Sequence, residues 1–465
     1  MSTAPGSHVT DVEIERLVGG TITPAERRRA VQHLLRCPGC RERKRPFLAA
    51  LGAVLHERLP ERPLPEAAYE TAWEAATATA RRWAKRWEGE TRWRERLVAA
   101  AQGAPPFRVE TSSLPRLFRG LVRRAPGLAI VEALLALSQQ ERYRDPKAME
   151  DLAFAAVARA MSLGSRSVDR GRYSALQRSD LQVRALGELA NAQRLNHDIE
   201  TADETLCLAW ERLEKEGSGE PLLATRLLDI WASLFLDQRR LGPAFDLLDR
   251  VHKRYLEMGE THLAGRALIK KGIGTAYEES PKAAAALFRE GLALIDPERD
   301  PQLMTNTRFN LLGALIDAEQ FREARTVLFQ SGLRQAFAED PLNRLKLRGW
   351  EAKIYAGLGA LEQAETLFRD TRAEFARRGR HYVAAMLDLE LTAVYLRRGQ
   401  AAEAEAEATR ALEVFKSLGV SYEAARAVHH LQEACRKRVA TAALASRVVR
   451  YLQQLETKPT LRFTP

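Results

Sequence analysis

From about residue 181 onward, apolar residues recur at helical spacing in paired segments, and the whole pattern repeats every 40 residues. Helix starts fall at Asp180, Glu220, Glu260, Asp300, Asp340, Arg380 and Val420. Ala244, Ala284, Ala324, Ala364 and Ala404 hold a second register, each 40 residues after the last. A small residue at a fixed place lets two paired helices approach closely. Polar joints such as Arg398-Gly399-Gln400 separate the two helices of a unit. The unit at 181–220 is less regular: its second helix is expected from Ala202, with Gly217-Ser218-Gly219 absorbing the difference. A pair at about 129–162 and a last pair at 421–459, ending in a basic polar helix, read as caps. The pattern predicts an all-α chain, an α-solenoid in which each pair buries its face only against its neighbours.

Upstream of the repeats the pattern changes. Pro60, Pro63 and Pro65 mark a linker. A helix from Glu66 to about Ala101 then carries Tyr69, Trp73, Ala76, Ala80, Trp83 and Trp87 at alternating steps of four and three, a heptad seam. Because Trp and Tyr dominate interface hot spots, Tyr69, Trp73, Trp83 and Trp87 are candidates for gripping a partner. The competing reading is that the seam packs on the protein's own domains. A shorter amphipathic stretch, Ser113 to Arg124 with Leu114, Leu117, Phe118, Leu121 and Val122, is expected to dock on the first solenoid helices in preference to a membrane surface.

The first sixty residues form a third region. Thr10-Asp11-Val12-Glu13 is a capping box before the stripe Ile14, Leu17 and Val18, and Gly19-Gly20 stops that helix. Thr23-Pro24-Ala25-Glu26 opens a second helix running to Arg36. His33 and Cys37 fall one turn apart on the same face, and Pro38-Gly39 turns the chain to bring Cys40 back. Three such ligands match a tetrahedral Zn2+ site needing one more donor, and His8 is the sole upstream His or Cys. The alternative is two buried thiols and two surface histidines. Sixty residues of short helices bury little surface, so a structural zinc would supply folding free energy.

Two family resemblances follow from these residues. Residues 8–42 resemble the zinc-binding anti-sigma domain of bacteria, with its His-x3-Cys-x2-Cys knuckle and upstream His. That likeness implies one zinc ion on His8, His33, Cys37 and Cys40, and a sigma factor as a class of partner. Many relatives continue into a membrane-spanning helix, and this chain shows none. The 40-residue unit resembles tetratricopeptide repeats of the longer bacterial type, on Leu358-Gly359 and Ala364-x2-Leu367-Phe368; the Trp and final Pro of the 34-residue consensus are mostly missing. The expected organisation is a zinc-finger domain at 1–60, a helical linker at 61–127, a solenoid cap at 128–180 and repeats at 181–465.

Composition narrows the function. The net charge of +11 is uneven: residues 1–180 hold 31 Lys and Arg against 21 Asp and Glu, the remainder 41 against 40. The near-neutral repeats give no general attraction for nucleic acid, and Arg41-Glu42-Arg43-Lys44-Arg45 lacks the interleaved aromatics of a single-strand binder. No apolar leader and no eighteen-residue apolar run is present, and four cysteines are too few for a disulfide scaffold, so a cytoplasmic protein is expected. Cys207 and Cys435 read as core residues. Gly272-Ile273-Gly274 lacks the rest of a phosphate loop, no nucleophile elbow occurs, and a four-ligand zinc cannot activate water, so no enzyme is expected. Two readings stay open: a regulator of transcription joining the zinc module to a solenoid that takes a peptide or helix, and a scaffold whose zinc domain is purely structural.

Overall fold

The computed structural model describes residues 66–102, 121–164, 169, 171–278, 280–455, 461 and 463, with side chains from residue 84 onward. Helix α1 spans Glu66–Gln102. Three pairs follow: α2 (Gly127–Glu141) with α3 (Pro146–Met161), α4 (Ala175–Leu195) with α5 (Ile199–Glu216), and α6 (Pro221–Asp237) with α7 (Leu241–Glu257). After them come α8 (Thr261–Tyr277) with α9 (Pro281–Leu294), and α10 (Pro301–Asp317) with α11 (Phe321–Gln330) and the single turn α12 (Leu333–Ala336). The chain ends in α13 (Pro341–Gly357) with α14 (Leu361–Arg377), α15 (His381–Arg397) with α16 (Ala401–Ser417), and α17 (Tyr422–Arg436) with α18 (Ala442–Leu455). No strand occurs among the described residues, and no helix there is long and apolar enough to cross a membrane. The architecture is an all-α, tetratricopeptide-like array of helix pairs.

The starts of these helices are written locally. Asp145, Glu220, Asp300 and Asp340 each cap a helix whose first residue is proline, and each side chain accepts from an amide of the first turn. At Asp340 the acceptor bonds run to the Leu342 and Asn343 amides at 3.1 and 3.0 Å. The joints inside the pairs repeat as well. Arg239, Glu319, Gly359 and Gly399, spaced by multiples of 40, all take left-handed backbone. The next amide in each closes on a carbonyl five residues back, as from Ala360 to Tyr355 at 2.9 Å.

The chain divides into two compact units, Met1–Glu260 and Thr261–Pro465. In each, successive first helices touch one another, α2 on α4 on α6 and α8 on α10 on α13 on α15, whereas second helices reach mainly the first helix of the next pair. Each unit therefore has a continuous layer of first helices. The five alanines of the 40-residue register are fully buried where second helices meet first ones, as the close-approach argument requires. In the N-terminal unit the C-terminal half of α1 covers α2 through Leu97 and Ala101, with Trp93, Leu121 and Val122 against the same cluster. In the C-terminal unit α18 folds back on α15, and Phe463 closes over Tyr451.

Three expectations need correction. Helix α4 starts at Ala175, not at Asp180, because Ser174 and Gln177 form a reciprocal capping box: Ser174 Oγ accepts from the Gln177 amide at 3.1 Å, and Gln177 accepts back at 3.0 Å. Helix α5 starts at Ile199, not at Ala202, because Asp198 caps it onto the Thr201 amide. Cys207 is exposed, since α5 buries Ala202, Leu206, Ala209 and Leu213 and leaves the position after Leu206 outside. Cys435 is buried as expected. Gly272 belongs to the packing of α8, where an added Cβ would lie 2.9 Å from the Phe288 ring.

Candidate functional site

The first-helix layer of the C-terminal unit carries charge in a place that packing alone would fill with apolar or small residues. Asp317 ends α10, Lys353 lies on α13 and Glu390 on α15, three successive first helices. Lys353 Nζ donates to Glu390 Oε1 at 2.7 Å, with the two side chains 20% and 17% exposed. Desolvation pushes the Lys353 ammonium down, but Glu390 and then Asp317 outweigh it and hold it above its ordinary value. Asp317 is exposed at the end of its helix, and the partial desolvation there, with Glu390 nearby, still raises its carboxyl against the pull of Lys353. Two carboxylates around one ammonium leave this row acid-rich.

An aromatic platform adjoins it. Trp350, one turn before Lys353, lies 4.3 Å from the Phe309 ring of α10 at 31°. Phe309 in turn meets Phe337 edge-on at 5.4 Å and 81°. Gly313 leaves the room this needs, since a Cβ there would stand 3.3 Å from Trp350. Phe337 reaches the platform because the second helix of this pair breaks at Ser331-Gly332, with Gly332 in the left-handed region. Flat faces beside hydrogen-bonding charge suit an amphipathic protein segment.

A second acidic pair on α15 and α16 serves the packing. Asp388, 2% exposed, faces Arg372 of α14 at 3.3 Å and Arg410 of α16 at 3.4 Å, with the buried Glu407 beside it. Burial, then the hydrogen bond shared with Glu407, pushes the Asp388 carboxyl up to about 7 against the two arginines. Nearby, the Tyr395 hydroxyl donates to Glu365 at 2.9 Å, and burial followed by that carboxylate pushes it up to about 12.

Of the residues singled out by sequence, Trp87 is placed on α1 with 65% of its surface exposed. Tyr69, Trp73 and Trp83 share that helix, and their side chains lie outside the described ones. The aromatic that does pack on the N-terminal unit is Trp93. The proposed ligands His8, His33, Cys37 and Cys40 lie outside the described residues. Among the described residues no His, Cys, Asp and Glu group is arranged to hold a metal. Asp317, Lys353 and Glu390 were missed by sequence reading. Their spacings of 36 and 37 drift against the 40-residue period because neighbouring helices cross at an angle; the legible signal was a Lys between the apolar Ala352 and Ile354.

No family model matches the chain, and no curated protein matches it. Among solved structures it is similar to aspartyl phosphate phosphatase F from Bacillus subtilis, at 11% identity over 89% of this chain and 96% of that one, with a TM-score of 0.41. It is also similar to the apo form of RapI, at 14% identity over 70% of this chain and 87% of that one, with a TM-score of 0.48. A third similar structure is a signal-transduction ATPase with a tetratricopeptide repeat sensor from Pyrococcus horikoshii, at 14% identity, 73% of this chain, 51% of that one and a TM-score of 0.44. All three are distant, and the architecture is established by the helix pairing of the chain itself.

Proposed function

We propose that this chain is a helical-repeat interaction scaffold whose C-terminal unit receives a segment of a protein partner on its first-helix layer. The observation that supports this is the Lys353–Glu390 pair, with the exposed Asp317 next to it, beside the Trp350–Phe309 platform: a largely desolvated charge pair is costly, and α-helical packing does not require it there. The partner segment would be amphipathic and basic, so that its cation meets the surplus carboxylate and its apolar side rests on the rings. The test is affinity purification with full-length protein and the double variant Lys353→Met/Glu390→Leu, which replaces a buried pair by apolar groups of similar size and so leaves stability near the parent value. Proteins retained by the parent should be lost from the variant at unchanged thermal midpoint. Equal recovery would overturn this reading. No catalytic role is proposed.

We further propose that His8, His33, Cys37 and Cys40 hold one structural zinc, a reading supported by their spacing. Metal analysis of protein purified without chelator should give one zinc per chain and none in Cys37→Ser; zinc-free parent protein would end the claim. A sigma factor as partner, and with it a role in transcription, rests on the resemblance of residues 8–42. It is tested by whether a sigma factor is among the retained proteins and needs those residues.

A further inference from the structure

A second feature lies in the N-terminal unit, away from that row. A cleft of about 670 Å3 opens between α1, the entry to α2 and the segment before α4, lined by Lys85, Arg86, Gly89, Trp93, Arg124, Pro126 and Arg172. Among the described residues four cations line it and no carboxylate does. The acid that holds them sits beneath: Glu90, 4% exposed, accepts from Arg172 Nε at 2.9 Å, from the Tyr173 hydroxyl at 3.2 Å and from Arg86 Nε at 3.4 Å, all on Oε1.

That floor is fixed from several sides. The Tyr173 hydroxyl also accepts from the Leu128 amide at 3.2 Å, and burial, the first cause, pushes it up to about 12. Arg86 lies over the Tyr173 ring at 4.9 Å and donates to the Arg172 carbonyl. The Gly127 amide at the start of α2 donates to Asp169 Oδ1 at 2.7 Å, and Asp169 is paired with Arg159. One buried carboxylate therefore aims two guanidinium groups at the cleft while neutralising one charge. Nη1 and Nη2 of Arg172, and the whole cationic ends of Lys85 and Arg124, bond to nothing among the described residues.

We infer that this cleft is a binding site for a small phosphate ligand. Like charges held together by a rigid floor are unfavourable until an anion arrives, and a guanidinium held at Nε presents its remaining fork to a tetrahedral oxyanion. With three charges left over, a dianionic phosphate fits better than a single carboxylate. The volume is that of a small-molecule pocket.

The test uses full-length protein and calorimetric titration with inorganic phosphate, pyrophosphate and adenosine monophosphate, which separate a bare anion from an esterified one. Saturable binding of at least one probe is expected, weakening as salt is raised. Lys85→Ser/Arg124→Ser, at exposed positions, should weaken it by about tenfold or more at unchanged thermal midpoint. The charge-matched control Lys253→Ser/Arg254→Ser on α7 should leave it alone. Absence of saturable heat with all three probes up to about 5 mM would overturn the site. So would an equal loss in both double variants, or a single-stranded oligonucleotide outbinding pyrophosphate severalfold, which would make the cleft a nucleic-acid contact.

Discussion

Lys353 and Glu390 meet at 2.7 Å between α13 and α15, one on each of two neighbouring first helices, with about four-fifths of each side chain removed from water. The bond ties the helices together, and it exists because Glu390 and Asp317 together hold the ammonium charged. Removing one partner is worse than removing both. Lys353→Ala should cost about 2–3 kcal/mol, at or just below the bottom of the range for a broken buried pair, since some water still reaches it. Lys353→Met/Glu390→Leu should stay within about 1 kcal/mol of the parent. Urea unfolding of the three proteins checks the order.

Asp388 makes stability depend on pH. Its folded value of about 7 lies above its ordinary one near 3.8, so the folded chain binds more protons between the two. The favourable contribution is complete below about pH 4 and is lost as pH rises through about 7. Asp388→Asn should flatten the fall of the thermal midpoint between pH 4 and 8 while keeping a group able to bond Glu407. A parent protein with no such fall would contradict the raised value.

The register alanines leave no space. Ala364 is fully buried among Ala352, Phe368 and the helices of its neighbours. Ala364→Leu should cost about 1–3 kcal/mol by overpacking. Gln363, one position earlier on the same helix, is exposed, and Gln363→Leu should change stability by less than about 0.5 kcal/mol. Chemical denaturation distinguishes the two.

Glu319 occupies a joint that Gly359 and Gly399 fill in later units, with φ at 58°. Its side chain is exposed and does little to offset the left-handed strain. Glu319→Gly should stabilise the C-terminal unit by about 0.5–1 kcal/mol, the gain from relieved strain less the entropy that glycine adds to the unfolded chain. Glu319→Val should destabilise it. The thermal midpoints of the two variants should move in opposite directions.

Sequence by itself determined the repeating skeleton. The Asp-Pro and Glu-Pro starts, the alanine register and the Gly joints are each satisfied within one or two turns of helix, so spacing alone reads them, as at Asp300, Asp340 and Ala364. The long helix from Glu66 to Gln102 was legible for the same reason. Where two local signals competed, the nearer one won: the Ser174–Gln177 box moved the start of α4 away from the 40-residue beat. Tertiary structure alone decided what faces what. Trp87 stands exposed while Trp93 packs, Cys207 lies one residue outside the buried stripe of α5, and α18 returns to α15. It also gathered Asp317, Lys353 and Glu390 into one row and Lys85, Arg124 and Arg172 around one cleft. Those groupings join residues up to 87 positions apart through helix crossing angles, which depend on the side chains of both partners at once and are written in neither segment alone.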